Sequence, residues 1–215
     1  MRRIRISLVL AVTAIAAFSV SAGGVGLAGA QAADTTLCGV AQETCEPVNR
    51  KASGTTLEMS TTQVTFLNTV STVTCTSSSF KAVTEAVTGE PLPAKISTAN
   101  APVYGGCKTA GGTECKVTSV NTPYNVQIKW TSANNGTFKL TNSGVGVPGV
   151  DVKCGLLIDC RFTAEVQYTL EGGKPAKVKV VGAPFNVVGM TCPAKAELAV
   201  LYTVNTPSPL YVAHI

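Results

Sequence analysis

From Tyr124 to Thr131 the chain alternates without a slip. Tyr124, Val126, Ile128 and Trp130 fall on one side, and Asn125, Gln127, Lys129 and Thr131 on the other. A period of two places successive side chains on opposite faces of a strand, so this stretch is half-buried β-structure and no helix. Asn134-Asn135-Gly136 then supplies residues that tolerate a left-handed backbone, and Phe138 and Leu140 alternate with Lys139 and Thr141, which predicts a hairpin. A second alternation sets Phe162, Ala164, Val166, Tyr168 and Leu170 against Thr163, Glu165, Gln167 and Thr169. Gly172-Gly173-Lys174-Pro175 turns that strand into one built on Val178 and Val180, with Lys177 and Lys179 on its wet face.

Weaker signals predict further strands near Gln63–Phe66, Thr72–Thr76, Phe80–Val83, Lys95–Thr98, Cys115–Val120, Phe185–Val188, Leu198–Val204 and Leu210–Val212. Thr and Val recur throughout, and β-branched side chains suit a pleated surface better than a helix. The expected fold is all-β: an antiparallel sandwich or open barrel of about ten short strands, stapled by disulfides. Hydrophobic residues make up 45% of the chain and charged residues only 13%, which excludes charge-driven disorder.

The N-terminus sets the compartment. Arg2, Arg3 and Arg5 precede an apolar run from Ile6 to Val20 and a small-residue stretch ending Ala30-Gln31-Ala32, the layout of a secretory signal peptide cleaved after residue 32. Ala30 stands where a lipoprotein signal would place cysteine, so no lipid anchor is expected, and no membrane association follows cleavage. Loss of the three leader arginines takes the net charge from +5 to +2. With Lys174, Lys177 and Lys179 as the one close basic group, a nucleic-acid footprint is not supported. Residues 33–54 read as a polar N-terminal arm without a clear period, and residues 55–215 as a single β-domain.

All eight cysteines, Cys38, Cys45, Cys75, Cys107, Cys115, Cys154, Cys160 and Cys192, follow the leader. An even number in an exported chain reads as a disulfide set, though sequence leaves the pairing open. Short spacings suggest Cys38 with Cys45, Cys107 with Cys115 and Cys154 with Cys160, leaving Cys75 with Cys192. On that scheme the long bridge would remove about 5 kcal/mol of unfolded-state entropy, against roughly 2 to 2.5 for a short loop. No C-x-x-C occurs, so neither a zinc site nor a redox centre is expected, and no cofactor or metal is called for.

Val73-Thr74-Cys75-Thr76, Gly105-Gly106-Cys107, Cys115-Lys116-Val117-Thr118, Val152-Lys153-Cys154-Gly155 closed by Cys160, Cys192-Pro193, Tyr202-Thr203-Val204 and Pro207-Ser208-Pro209-Leu210-Tyr211-Val212 together resemble a loose set of small exported proteins of actinobacteria. The resemblance covers Thr72 to the end. It implies an extracellular β-domain and transfers no catalytic residue.

His214 is the single histidine, which removes the central residue of Ser-His-Asp and Cys-His catalysis. Enzymatic chemistry would have to rest on carboxylates, with Asp151, Asp159, Glu165 and Glu171 as the candidates for a secreted carbohydrate-active hydrolase using a carboxylate pair. Gly-rich pieces lie between strands with no following helix and read as turns rather than phosphate cradles. Trp130 shares its register with Tyr124, Val126 and Ile128, so it reads as a core residue rather than a sugar platform.

One feature stands apart. Gly155-Leu156-Leu157-Ile158-Asp159 places three adjacent aliphatics between two half-cystines at a hairpin tip. Either Leu156, Leu157 and Ile158 form a contact loop, stiffened by a bridge as in a secreted protease inhibitor, or they fold over an open end of the sandwich and plug it. The plug is the expected outcome. The chain as a whole reads as a secreted non-enzymatic structural or interaction protein. It would act by surface contact, on a protein or on cell-wall glycan, outside the cell or in the envelope.

Overall fold

The computed structural model describes residues 34–68, 72–189 and 191–215. The expected leader, residues 1–32, lies outside them. Among the described residues there are eighteen strands, two short 3-10 turns and no α-helix. In chain order the strands are β1 (Thr35–Cys38), β2 (Thr56–Thr61), β3 (Val64–Asn68), β4 (Val73–Cys75), β5 (Ser77–Thr84), β6 (Thr88–Gly89), β7 (Leu92–Ile96), β8 (Val103–Gly105) and β9 (Lys108–Thr109). They continue with β10 (Cys115–Val120), β11 (Tyr124–Ser132), β12 (Asn135–Thr141), β13 (Gly149–Cys154), β14 (Ile158–Thr163), β15 (Gln167–Glu171), β16 (Lys177–Val188), β17 (Ala196–Thr206) and β18 (Tyr211–His214).

Most of these are halves of longer courses. Ser60 of β2 faces Thr203 of β17 and Val64 of β3 faces Val200, so β2 and β3 run end to end along one partner with a bulge between them. On their other side Thr61 faces Ser78 and Val64 faces Cys75, which makes β4 and β5 a second course. Register joins β7 with β8, β10 with β11, β12 with β13 and β14 with β15 in the same way. With β16 and β17 this gives eight antiparallel courses in chain order, and the eighth, β17, pairs back to the first. The ladder is therefore a meander closed on itself, with both edges paired. Closure removes the free edges that would otherwise invite association.

The architecture agrees with the all-β expectation, with more strands than the ten expected. Six of the eight courses are broken in two, with Pro102, Pro123 and Pro148 at the β7/β8, β10/β11 and β12/β13 breaks. The β11–β12 turn is a two-residue one at Ala133 (φ 42°) and Asn134 (φ 70°), one residue earlier than expected. Gly136 lies within β12, where a Cβ would meet the Lys129 carbonyl at 2.5 Å; close approach rather than a turn requires glycine there.

Inward positions carry the core. Leu57, Met59, Phe66, Leu92, Ile96, Ile128, Phe138, Phe162 and Leu170 are all nearly inaccessible to water. Burying each such side chain contributes about 1.5–3 kcal/mol. Outward positions carry Lys81, Lys95, Gln127, Lys129, Lys177, Lys179 and Glu197, the reverse of the apolar band a lipid-facing barrel presents.

A small sheet, β18–β1–β6, covers one end through Leu37, Leu210 and Val212, which join the main core. Segment 34–54 is thus more than an arm, because β1 is the central strand of this cover. β9, the β13–β14 tip and Cys192 lie toward the opposite end. Midway, the courses from β7 to β15 are all interrupted. There Tyr124 Oη donates to the carbonyls of Val120 (2.8 Å) and Gly149 (3.1 Å), while Leu140 N donates to Val166 O and Ala164 N to Pro148 O, both at 2.9 Å.

Candidate functional site

The β13–β14 hairpin carries Leu156, the most exposed of the large hydrophobic side chains among the described residues. Cys154 faces Ile158 across the last rung, so Gly155, Leu156 and Leu157 form the loop beyond it. Gly155 has φ +57°, a conformation glycine adopts at no steric cost. Leu156 is 103% and Leu157 79% exposed, while Ile158 is half-buried against the core edge. The expected plug is therefore not what the loop forms. The reason is reach: the loop begins past the last ladder pair, so its side chains extend beyond the barrel end instead of folding back over it.

Two disulfides brace this tip, and neither is the bridge expected across it. Cys154 joins Cys115, its register partner across β10–β13, and Cys160 joins Cys192 in the β16–β17 connection. Cys154 faces Ile158 whereas Cys160 faces Val152, which sets the two cysteines on a diagonal of about 7–8 Å, beyond the reach of a disulfide. Cys107 with Cys115 also fails. Their backbones meet, since Cys115 N donates to Cys107 O at 2.9 Å, but Cys107 turns inward and bonds Cys75 with 3.8 Å between Cα atoms. With Cys75 and Cys192 so engaged, the long bridge between them does not exist. Cys38–Cys45 forms as expected, and no cysteine is free. Thr191 adds a further brace, its hydroxyl donating to the Leu157 carbonyl at 2.5 Å. Sequence gave no sign of that contact, because a loop threonine carries no period.

Beneath the tip, the outer face of β13 and β14 is lined with ion pairs. Arg161 grips Asp151 with two hydrogen bonds of 2.7 and 2.8 Å, and Lys153 meets Asp159 at 2.8 Å. Lys139 meets Glu165 at 2.9 Å, and Glu171 faces Lys177 in the β15–β16 register. Hydrogen bonding from Arg161 holds the Asp151 carboxyl below its ordinary value, and Lys139 does the same to Glu165. A glycosidic acid needs the opposite shift, raised by burial or a like charge. These carboxylates stand on an outer wall against cations, and the structure does not bring two of them together across a cleft.

Aromatic residues turn inward. Trp130 is half-buried, packs on the core and meets the His214 ring edge-to-face at 4.7 Å beneath the end cover. Tyr104, Tyr124, Tyr168 and Tyr202 line a cavity of about 40 Å³ at the interrupted middle of the barrel. Burial pushes the Tyr104 and Tyr168 phenols well above their ordinary range and Tyr202 up to about 12. Alternation placed Tyr124 and Tyr168 inside, but convergence of rings from separate courses needs the register. Exposed Val181, Leu201 and Leu67 stand among Lys179, Glu197 and Thr65 on the outer wall, an ordinary mixed surface.

Among the described residues no group of three or more His, Cys, Asp or Glu is placed to hold a metal ion, and no helix is long and apolar enough to cross a membrane. Comparison with known protein families, with curated proteins and with solved structures finds no match.

Proposed function

We propose that the chain is an exported, non-enzymatic interaction protein whose barrel presents the β13–β14 tip to a protein partner outside the cell. The observation that carries this reading is the combination of exposure and bracing. Leu156 and Leu157 lie almost wholly in water, yet the strands below them are tied by Cys115–Cys154 and Cys160–Cys192. An apolar tip held in one conformation loses little entropy on docking, which is how a small contact gains affinity. Aliphatic side chains fit an apolar pocket on a protein. A glycan is gripped instead by exposed aromatic faces, and Trp130 and the four cavity tyrosines turn theirs inward. Eight cysteines paired in four bridges, together with the leader, are compatible with life outside the cell.

The test uses immobilised mature protein and a variant carrying Leu156→Ser and Leu157→Ser, each exposed to culture supernatant and cell-wall fractions of the producing cells. A protein captured by the wild type and lost with the double variant, while purified wall glycan is ignored by both, is the expected result. Equal capture by both forms, binding to glycan alone, or release of sugars from a polysaccharide would overturn the reading.

A further inference from the structure

Asn135-Gly136 is the one Asn-Gly pair in the chain, and it stands where β12 leaves its turn. Such a pair is chemically fragile, because glycine has no Cβ to shield its nitrogen from the neighbouring carboxamide. Gly136 N bonds to Asn135 Cγ, the Cγ–Nδ2 bond breaks, and ammonia leaves with the proton that Gly136 N gave up. Water then opens the five-membered imide at either carbonyl, which yields aspartate or isoaspartate. The balance is one water taken up and one ammonia released, with no oxidant or reductant.

The fold withholds the geometry that this attack needs. The ring closes only when Asn135 rotates about ψ to carry the Gly136 nitrogen over Cγ, whereas β12 holds that backbone extended. Gly136 is buried and paired with Trp130 of β11 on one side and Leu170 of β15 on the other. The carboxamide is tied as well, since Asn135 Oδ1 accepts from Gly172 N at 3.0 Å. Next to it the end cover closes: Gly173 and Leu210 exchange backbone hydrogen bonds of 2.8 and 3.1 Å, and Val212 N donates to Asn134 O at 3.0 Å. We infer that Asn135 is a latent covalent-modification site, shut in the native protein and opened when the end cover and the β11–β12 hairpin come apart. Isoaspartate adds one carbon to the backbone path, which moves Gly136 out of register with both neighbours where register is strictly specified. Modification thus makes a transient opening of the cover permanent.

The test incubates the mature protein in mildly alkaline buffer, once native and once reduced, alkylated and unfolded in urea, and follows residue 135 by peptide mapping with electron-transfer fragmentation. Conversion should be at least about a hundredfold slower in the native protein, because only the locally opened fraction reacts. Leu210→Ala, which loosens the cover without altering β12, should speed native conversion about tenfold and leave the unfolded rate unchanged. Chains converted while unfolded but with bridges intact, then refolded, should show red-shifted emission from Trp130, the single tryptophan beneath the cover. Equal native and unfolded rates, a wild-type rate in folded Leu210→Ala, or native emission from refolded isoaspartate chains would each overturn the assignment. The wild-type comparison decides the matter even if Leu210→Ala fails to fold.

Discussion

Four double variants, each replacing one bridged pair by alanine, measure how the disulfides share the work of stabilisation. Sequence separations are 7 for Cys38–Cys45, 32 for Cys75–Cys107, 39 for Cys115–Cys154 and 32 for Cys160–Cys192. The chain-entropy relation converts these to about 2.4, 3.7, 3.9 and 3.7 kcal/mol of unfolded-state destabilisation. No bridge dominates, in contrast with the Cys75–Cys192 scheme, where one loop would have stood well above the others. Removing Cys115–Cys154 leaves the native ladder intact, since β10 and β13 pair over six residues, so the loss should fall on the unfolded side. At about 2–4 °C per kcal/mol for a domain of this size, the three larger loops should each lower Tm by about 8–15 °C and Cys38–Cys45 by about 5–10 °C. Differential scanning calorimetry without reductant reads this directly, and non-reducing peptide maps should yield Cys115 joined to Cys154. A Cys38–Cys45 deletion costing as much as the others, or a map joining Cys154 to Cys160, would refute the reasoning.

Further outcomes follow from burial and charge. Leu157→Ser should change the unfolding free energy by no more than about 0.5 kcal/mol, whereas Phe162→Ala, which empties a core position between Phe66 and Phe185, should cost about 3–5 kcal/mol in urea titrations. Tyr202 has a folded pKa raised to about 12, so its contribution is full below pH 10 and is lost as pH climbs from 10 to 12; absorbance near 295 nm should show its ionisation arriving together with unfolding. Asp151 has a folded pKa lowered by Arg161, so its pairing stabilises above the ordinary carboxylate range and fades as pH falls through the folded value; Asp151→Asn should flatten the acid limb of the stability curve.

The hairpins at β11–β12 and β15–β16 were legible because one face of each strand is buried and the other wet, and that contrast is written into every second residue. Closure of the ladder was not. β17 meets β2 and β3 from the far end of the chain, and an alternating strand looks the same whichever neighbour it takes. The broken courses were hidden for a related reason. Phe162, Val166, Tyr168 and Leu170 all point inward, so the alternation passes unbroken over a gap between β14 and β15 that only the hydrogen bonds reveal. Leu156 and Leu157 could be named as a contact candidate from the sequence. Whether they faced water depended on the rung at which the ladder ended, and adjacent aliphatics carry no period to indicate it.

The misread cysteines point to a division of labour between the two ends. Short sequence spacing suggested local loops, but in a meander the residues that meet are set by register, so Cys115 finds Cys154 across a ladder rather than Cys107 nearby. At one end the β18–β1–β6 sheet covers the core with Leu37, Leu210 and Val212, and hydrophobic burial holds the courses together. Toward the other end lie Cys75–Cys107, Cys115–Cys154 and Cys160–Cys192, tying β4, β10, β13, β14 and the β16–β17 connection. A strand terminus exposed to water without cover is where a barrel frays first. Covalent ties there let the tip keep two leucines in solvent without loosening the strands that carry them, so the end with the most covalent restraints is also the end at which we propose that a partner docks.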